Sequence, residues 1–251
     1  MFDKDKVKLG IAPIAWTNDD LPDLGAENTF EQCISEMALA GFTGSEVGNK
    51  YPKDRETLKK ALGLRGIEIC NQWFSCFLLT KPFEEVEHEF RQQLAFLRDM
   101  GAKIIGASEQ SYSVQGQQDT PVFGQKYSMD DTEWRVLCTG LNRLGRIAKE
   151  EYGISLTFHH HMGTVVQNPD EVKRLMENTE PEYVSLLFDT RTFCLLWSRS
   201  SGNGKNIHAQ NTPCSFKRYS PGNCTGGSEK ETEFSGRCTD GGIYHTGRRS
   251  C

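Results

Sequence analysis

Residues 154–189, ISLTFHHHMGTVVQNPDEVKRLMENTEPEYVSLLFD, contain two short apolar segments separated by a segment with helical periodicity. The apolar segments 154–158 and 184–188 predict buried strands, and the segment 170–177 between them predicts a helix. Strands joined through a helix run parallel in one sheet, and the helix covers one face of that sheet. This stretch therefore predicts an α/β fold built on a parallel sheet.

The same alternation of strand and helix runs through the upstream sequence. It predicts strands at 8–16, 42–47, 67–72 and 103–107 and helices at 30–40, 55–62, 83–99 and 131–150. Six strands and five helices in repeats of about 30 to 40 residues are typical of a (β/α)8 TIM barrel, here incomplete with about six β/α units. A doubly wound sheet is the alternative, but no glycine-rich phosphate loop follows the first strand. The long polar segment 111–128 is expected to be an active-site lid.

The bulk properties favour small-molecule chemistry. The chain has 251 residues and a net charge of −5, which argues against a nucleic-acid partner because phosphates attract basic surfaces. No run of about 18 apolar residues predicts a membrane span, and the charged amino terminus lacks a secretory apolar region. We therefore expect a cytoplasmic protein with no nucleic-acid or membrane partner.

The carboxyl ends of the predicted strands carry polar and aromatic residues. In a TIM barrel these ends form the rim at which the active site is built. The residues at these ends are Trp16, Glu46, Asn71, Gln72, Trp73, Glu109, Gln110, His159, His160, His161 and Asp189. Carboxylates, imidazoles and amides together suit a polyhydroxylated ligand and a divalent metal.

The strongest local signal is the run of three histidines at 159–161. Alternation along a strand sends His159 and His161 to one side and His160 to the other. Two imidazoles at the rim can ligate a metal or transfer protons near neutral pH, whereas the alternative is a hydrogen-bonded structural triplet.

Each remaining candidate has a functional and a structural interpretation. Asp189 ends an apolar strand, so its carboxylate needs a partner such as a metal, or else it caps a helix. Glu109 is a general acid or base if burial raises its pKa, or else forms a surface salt bridge. Glu46 binds ligand hydroxyls or lies in a solvated loop. Trp16 and Trp73 are stacking platforms or core residues.

Six stretches together resemble the myo-inosose-2 dehydratases, a family within the xylose-isomerase-like TIM barrel superfamily. The stretches are GIAPIAWTNDDLPDLG (10–25), GSEVGNKYP (44–52), CNQWFS (70–75), GASEQSYSVQG (106–116), FHHHMGTVVQ (158–167) and LLFDT (186–190). The resemblance implies a metal-dependent lyase that removes water from a cyclic polyol ketone, 2-keto-myo-inositol (scyllo-inosose), in inositol catabolism. It also implies Mn²⁺ or Co²⁺, with glutathione as a further cofactor, and it leaves a homo-oligomer open.

The resemblance also implies roles for the rim residues. His161 and Glu109 are the expected catalytic pair, with the base and the acid not assigned between them. Trp16, Glu46, Asn71 and Gln72 are expected to bind the substrate, and His159 and Asp189 to bind the metal. Asp189 matches the metal-binding Asp of the wider superfamily, whereas the histidine cluster stands where that superfamily has a Glu. A ketose epimerase or isomerase of the same superfamily, or an inactive non-enzymatic remnant, is the alternative function.

The composition changes abruptly after residue 190. Residues 191–251 contain no valine, no methionine and one alanine, and they show no sustained periodicity. Reverse translation one nucleotide out of frame turns 191–197 into GHFVYCG and 213–222 into HVHLKDIRP, both of which resemble the dehydratase family. We therefore interpret 1–190 as an incomplete TIM-barrel catalytic domain and 191–251 as an irregular, frame-shifted tail. As translated, the chain is expected to be truncated and impaired.

Overall fold

The computed structural model of the chain describes residues 7–19, 21–117, 119–120 and 125–189. The predicted tail, 191–251, lies outside the described residues. The strands are β1 (Gly10–Ile11), β2 (Gly44–Glu46), β3 (Glu68–Asn71), β4 (Trp73–Cys76), β5 (Ile104–Glu109), β6 (Ser155–His159) and β7 (Val184–Leu187). The helices are α1 (Phe30–Leu39), α2 (Arg55–Gly63), α3 (Phe83–Asp99), α4 (Asp131–Tyr152) and α5 (Pro169–Asn178).

All described strand pairs are parallel, and neighbours in space are neighbours in sequence. The order is β1-β2-β3 in one sheet and β4-β5-β6-β7 in the other. A doubly wound sheet would reverse its strand order at a switch point, and the described strands do not. The consecutive order is that of a TIM barrel, as predicted, and the described strands leave the barrel unclosed.

The observed strands differ from the predicted ones in two places. The first was expected at 8–16, but β1 ends at Ile11 and a 3₁₀ turn covers Pro13–Ala15. Proline lacks the N–H that a sheet requires, which explains the early end. The third strand is predicted at 67–72, which β3 matches, but a further strand, β4, follows directly after Gln72.

Asn71 joins the two sheets where β3 ends and β4 begins. Its Oδ1 accepts the Gly106 N–H at 2.7 Å, and its Nδ2 donates to Glu46 Oε2 at 3.0 Å. The Gly106 N–H also lies 3.2 Å from the Gln72 carbonyl oxygen. A Cβ at position 106 would lie 3.0 Å from Asn71 Nδ2, so the glycine leaves room for this amide. The side chain thus links β2, the kinked strand and β5.

Helix boundaries follow the local signals closely. Helix α3 has the predicted bounds, and α1 begins at the predicted residue. Asp130 and Glu133 form a capping box at the start of α4, and Asn168 and Glu171 form another at α5. None of the described helices is both long enough and apolar enough to cross a bilayer.

The helices cover the outer face of the sheet. Phe74 of β4 meets Phe90 of α3 with ring centroids 4.9 Å apart, and both side chains are buried. Helix α4 approaches the segment before β7 so closely that a Cβ at Gly145 would lie 2.3 Å from the Tyr183 carbonyl oxygen. The packing of α4 therefore requires glycine at this position.

We predict that Gly145→Ala destabilises the protein by about 1 to 3 kcal/mol because backbone must move to admit the methyl group. The matched control is Gly63→Ala at the end of α2, where no atom lies within 4 Å of the added Cβ. Alanine there should stabilise by up to about 1 kcal/mol through its helix propensity. Urea unfolding measures both changes, and equal effects of the two substitutions would contradict this account of the packing.

Candidate active site

Side-chain alternation separates the residues inside the barrel from those facing the helices. Gly106 of β5 faces Asn71, so the even-numbered positions of β5 face the interior. Phe74 of β4 packs on α3, so its neighbour Trp73 faces the interior. This assignment decides which predicted site residues can meet.

His159, His161 and Trp73 meet at the interior rim. The Trp73 ring centroid lies 5.3 Å from that of His159 and 6.0 Å from that of His161, both in edge-on geometry. The two imidazole centroids are 5.4 Å apart. Trp73 Nε1 donates to Ser75 Oγ at 3.0 Å, which fixes the indole in the strand. These contacts are consistent with the prediction that His159 and His161 lie on the same side of the strand.

Asp189 reaches the same group. Its Oδ2 lies 3.5 Å from His159 Nε2, and both side chains are mostly buried. His159 Nε2 is itself buried and makes no hydrogen bond within the described part of the chain. A lone-pair nitrogen beside a carboxylate oxygen is a donor pair that suits a divalent cation.

Two ligands do not complete a metal centre. Among residues 7–19, 21–117, 119–120 and 125–189, no three His, Cys, Asp or Glu side chains are grouped to hold an ion. The described residues therefore hold at most part of the predicted metal site.

Glu46 lies at the interior end of β2 and is held by Asn71. Burial raises the pKa of its carboxyl, and nearby Asp19 raises it further, whereas the Asn71 hydrogen bond and His159 lower it. Asp19 and His159 therefore both act on this carboxyl through their charge, and Asp19 is not among the residues predicted from the sequence.

Glu109, expected as a catalytic residue, does not join this group. It occupies an odd-numbered position of β5, so it points toward the helices, and it is fully buried. Its Oε2 accepts the Leu78 N–H and its Oε1 accepts the Ser111 N–H, each at 3.0 Å. The carboxylate thus holds the loops after β4 and β5 together. The position of Glu109 after a predicted strand does not reveal this role.

One predicted substrate-binding residue, Trp16, is placed elsewhere. Its indole donates to Glu36 Oε2 of α1 at 2.6 Å, so it lies against the first helix. Gln72 lies at the interruption between β3 and β4. Its buried Oε1 makes no hydrogen bond to any described residue.

His160 is predicted to point to the side opposite His159 and His161, and its side chain is buried. Burial lowers the pKa of its imidazole, and the adjacent His159 lowers it further. The neutral ring is therefore favoured, which fits a packed side chain better than a proton-transfer group.

The fold and the sequence both have known relatives. Residues 34–200 match the family described as xylose isomerase-like TIM barrel. An inosose dehydratase of Clostridium perfringens (strain 13 / Type A) is 63% identical over 184 residues, covering 73% of this chain and 62% of that protein. One of Geobacillus thermodenitrificans (strain NG80-2) is 60% identical over 190 residues, covering 76% and 63%. The chain thus spans less than two thirds of the length of these relatives.

Solved structures share the fold at low sequence identity. The probable 3-DHS dehydratase AsbF from Bacillus anthracis has a TM-score of 0.58 at 13% identity, covering 76% of this chain and 66% of its own. The IOLI protein with a binding zinc atom has a TM-score of 0.54 at 14% identity, covering 74% and 64%. Likeness at this identity supports the barrel architecture alone.

The burial of Glu109 predicts a measurable pH dependence of stability. Burial raises the pKa of its carboxyl from 4.5 to about 6, so the folded chain binds this proton more tightly than the unfolded chain. Its contribution is fully present below about pH 4.5 and is lost as the pH rises through about 6, amounting to about 2 kcal/mol. Urea unfolding of the wild type and of Glu109→Gln between pH 4.5 and 7.5 measures this difference. A wild-type minus variant difference that stays constant with pH would contradict it.

Proposed function

Because the chain belongs to the xylose isomerase-like TIM barrel family, we propose that its barrel interior is built for the reaction of the inosose dehydratases. That reaction is the loss of water from 2-keto-myo-inositol (scyllo-inosose) to a trihydroxycyclohexane-dione in inositol catabolism. The proposal is supported by the contacts of His159 with His161 and Asp189, in a chain 63% identical over 184 residues to an inosose dehydratase.

His159 Nε2 and Asp189 Oδ2 are the residues that would hold a divalent ion, and we propose Mn²⁺ or Co²⁺. The His159 nitrogen fits this use, because it is buried beside the Asp189 carboxylate and makes no hydrogen bond to another described residue. Such an ion, when bound, stabilises negative charge on the ketone oxygen and its neighbour. Glutathione remains a prediction from the family resemblance.

Proton transfer is assigned to His161 and Glu46. The elimination removes the proton from the carbon beside the ketone and breaks the C–O bond on the next carbon, whose hydroxyl leaves as water after it gains a proton. The resulting enol becomes the dione by a proton shift from oxygen to carbon. We propose His161 as the base that accepts the α-proton. Glu46 is the acid, since burial favours its protonated form and Asn71 holds its carboxyl in place. A proton passed from His161 to Glu46 restores both groups.

The interior also offers a surface for the carbon ring of the substrate. The Trp73 indole contacts both imidazoles, and its bond to Ser75 limits its rotation. An apolar face beside polar groups that bind hydroxyls is typical of sites for cyclic polyols. A cytoplasmic location and a homo-oligomer remain predictions.

The activity is tested with scyllo-inosose and added Mn²⁺ on two chains. One is the chain as written, and the other continues in the shifted frame after Thr190. We expect the second chain to form the dione. The chain as written should be at least about 100-fold slower, because only a complete metal site stabilises the negative charge of the transition state by several kcal/mol. Product analysis by NMR decides the class of reaction. A stereoisomer of the substrate in place of the dione would indicate an epimerase, and no conversion by either chain would refute the proposal.

The two carboxylates give a matched pair of variants in the chain that turns over. Glu46→Gln should lower kcat by about 10² to 10⁴-fold because it removes the proposed acid. Glu109→Gln should change kcat by less than about threefold, since Glu109 faces the helices away from the reacting atoms. Steady-state kinetics at pH 7.5 measure both. A large loss in Glu109→Gln with a near-normal Glu46→Gln would reverse the assignment.

A further inference from the structure

The turn that follows β6 fixes the His161 ring through its own backbone. His161 Nδ1 lies 2.9 Å from the Met162 carbonyl oxygen. A carbonyl oxygen only accepts hydrogen bonds, so Nδ1 must carry the proton. In the neutral ring the lone pair then belongs to Nε2.

The same peptide group is held from its other side. The peptide that carries the Met162 carbonyl also carries the Gly163 N–H, which donates to Gln167 Oε1 at 2.7 Å. The two bonds on one peptide polarise each other in the same direction. Gln167 is 5% exposed, and its own N–H donates to Glu171 Oε2 at 2.8 Å. A chain of hydrogen bonds thus runs from the start of α5 through Gln167 to the His161 ring.

Thr164 fixes the backbone of His161. Its Oγ1 lies 2.8 Å from the His161 carbonyl oxygen and 3.0 Å from that of Val166. The His161 N–H donates to the Val166 carbonyl at 3.2 Å, which closes the turn. The single Thr164 hydroxyl proton lies between these two carbonyl oxygens, and the side chain is 1% exposed.

We propose that Gln167 and Thr164 are positioning residues that hold His161 in the Nδ1–H tautomer with its lone pair on Nε2. The inference rests on the proposed function only for the use of that lone pair, which is to accept the α-proton. The tautomer itself is a property of the resting chain. Its measurement therefore separates a failure of this inference from a failure of the proposed reaction.

The tautomer is measured on the full chain labelled with ¹⁵N in its histidine rings, at pH 8 with EDTA, by long-range ¹H–¹⁵N correlation. The signal lost in His161→Asn identifies the ring. We expect Nδ1–H in the wild type. Gln167→Met removes the acceptor at similar length and should shift the tautomer ratio toward Nε2–H by about fivefold. Thr164→Val should shift it in the same direction, and Thr164→Ser should restore it.

Thr179→Val is the matched control. It removes another buried threonine hydroxyl, which donates to the Leu175 carbonyl at 2.9 Å at the far end of α5. It should cost similar stability and leave the His161 signal unchanged. Nε2–H in the wild type would overturn the inference, as would a wild-type ratio in folded Thr164→Val and Gln167→Met. The wild-type result decides even where a variant does not fold.

Discussion

The Asn71 amide bridges the two sheets at Gln72, where the strand is interrupted between β3 and β4. A kinked strand leaves ladder groups unmatched, and buried backbone groups without partners are costly. The Asn71 side chain accepts a hydrogen bond from the Gly106 N–H and donates one to Glu46. The residue that bridges the two sheets therefore also orients the carboxyl that we assign to the reaction.

The sequence sufficed for the fold because its signals are local. Helix α3 has apolar periodicity, and α4 and α5 start at capping boxes, so their positions needed no tertiary information. The prediction ends the third strand at Gln72 and misses β4, which follows at Trp73–Cys76. The hydrogen bonds of Asn71 to Glu46 and Gly106, which bridge the two sheets at this point, join distant segments and have no local sequence pattern.

The site was predictable only where strand alternation was counted. His159 and His161 share a side because they are two residues apart, and both contact Trp73. Glu109 is predicted at the rim because it follows the apolar segment 103–107, whereas β5 runs two residues further and turns Glu109 outward. Trp16 is predicted there because it ends the expected first strand, whereas β1 ends at Ile11 and the Trp16 indole bonds Glu36. A residue near the carboxyl end of a strand is predicted to lie at the rim. Whether its side chain faces the interior or the helices depends on its odd or even position along the strand.

The double attachment of Glu109 has a consequence for exchanging loops between barrels. Its carboxylate accepts the Leu78 and Ser111 N–H groups, and Thr80 Oγ1 lies 2.9 Å from Ser111 Oγ. These bonds join the loop after β4 to the loop after β5. A graft that begins at Ser111 would replace the hydroxyl that bonds Thr80 and would have to reproduce the backbone geometry at which Glu109 accepts the N–H of residue 111. A graft that begins at Tyr112 keeps the hydrogen bonds of Glu109 and Ser111. The part of the loop from Tyr112 onward can therefore vary independently of the loop after β4.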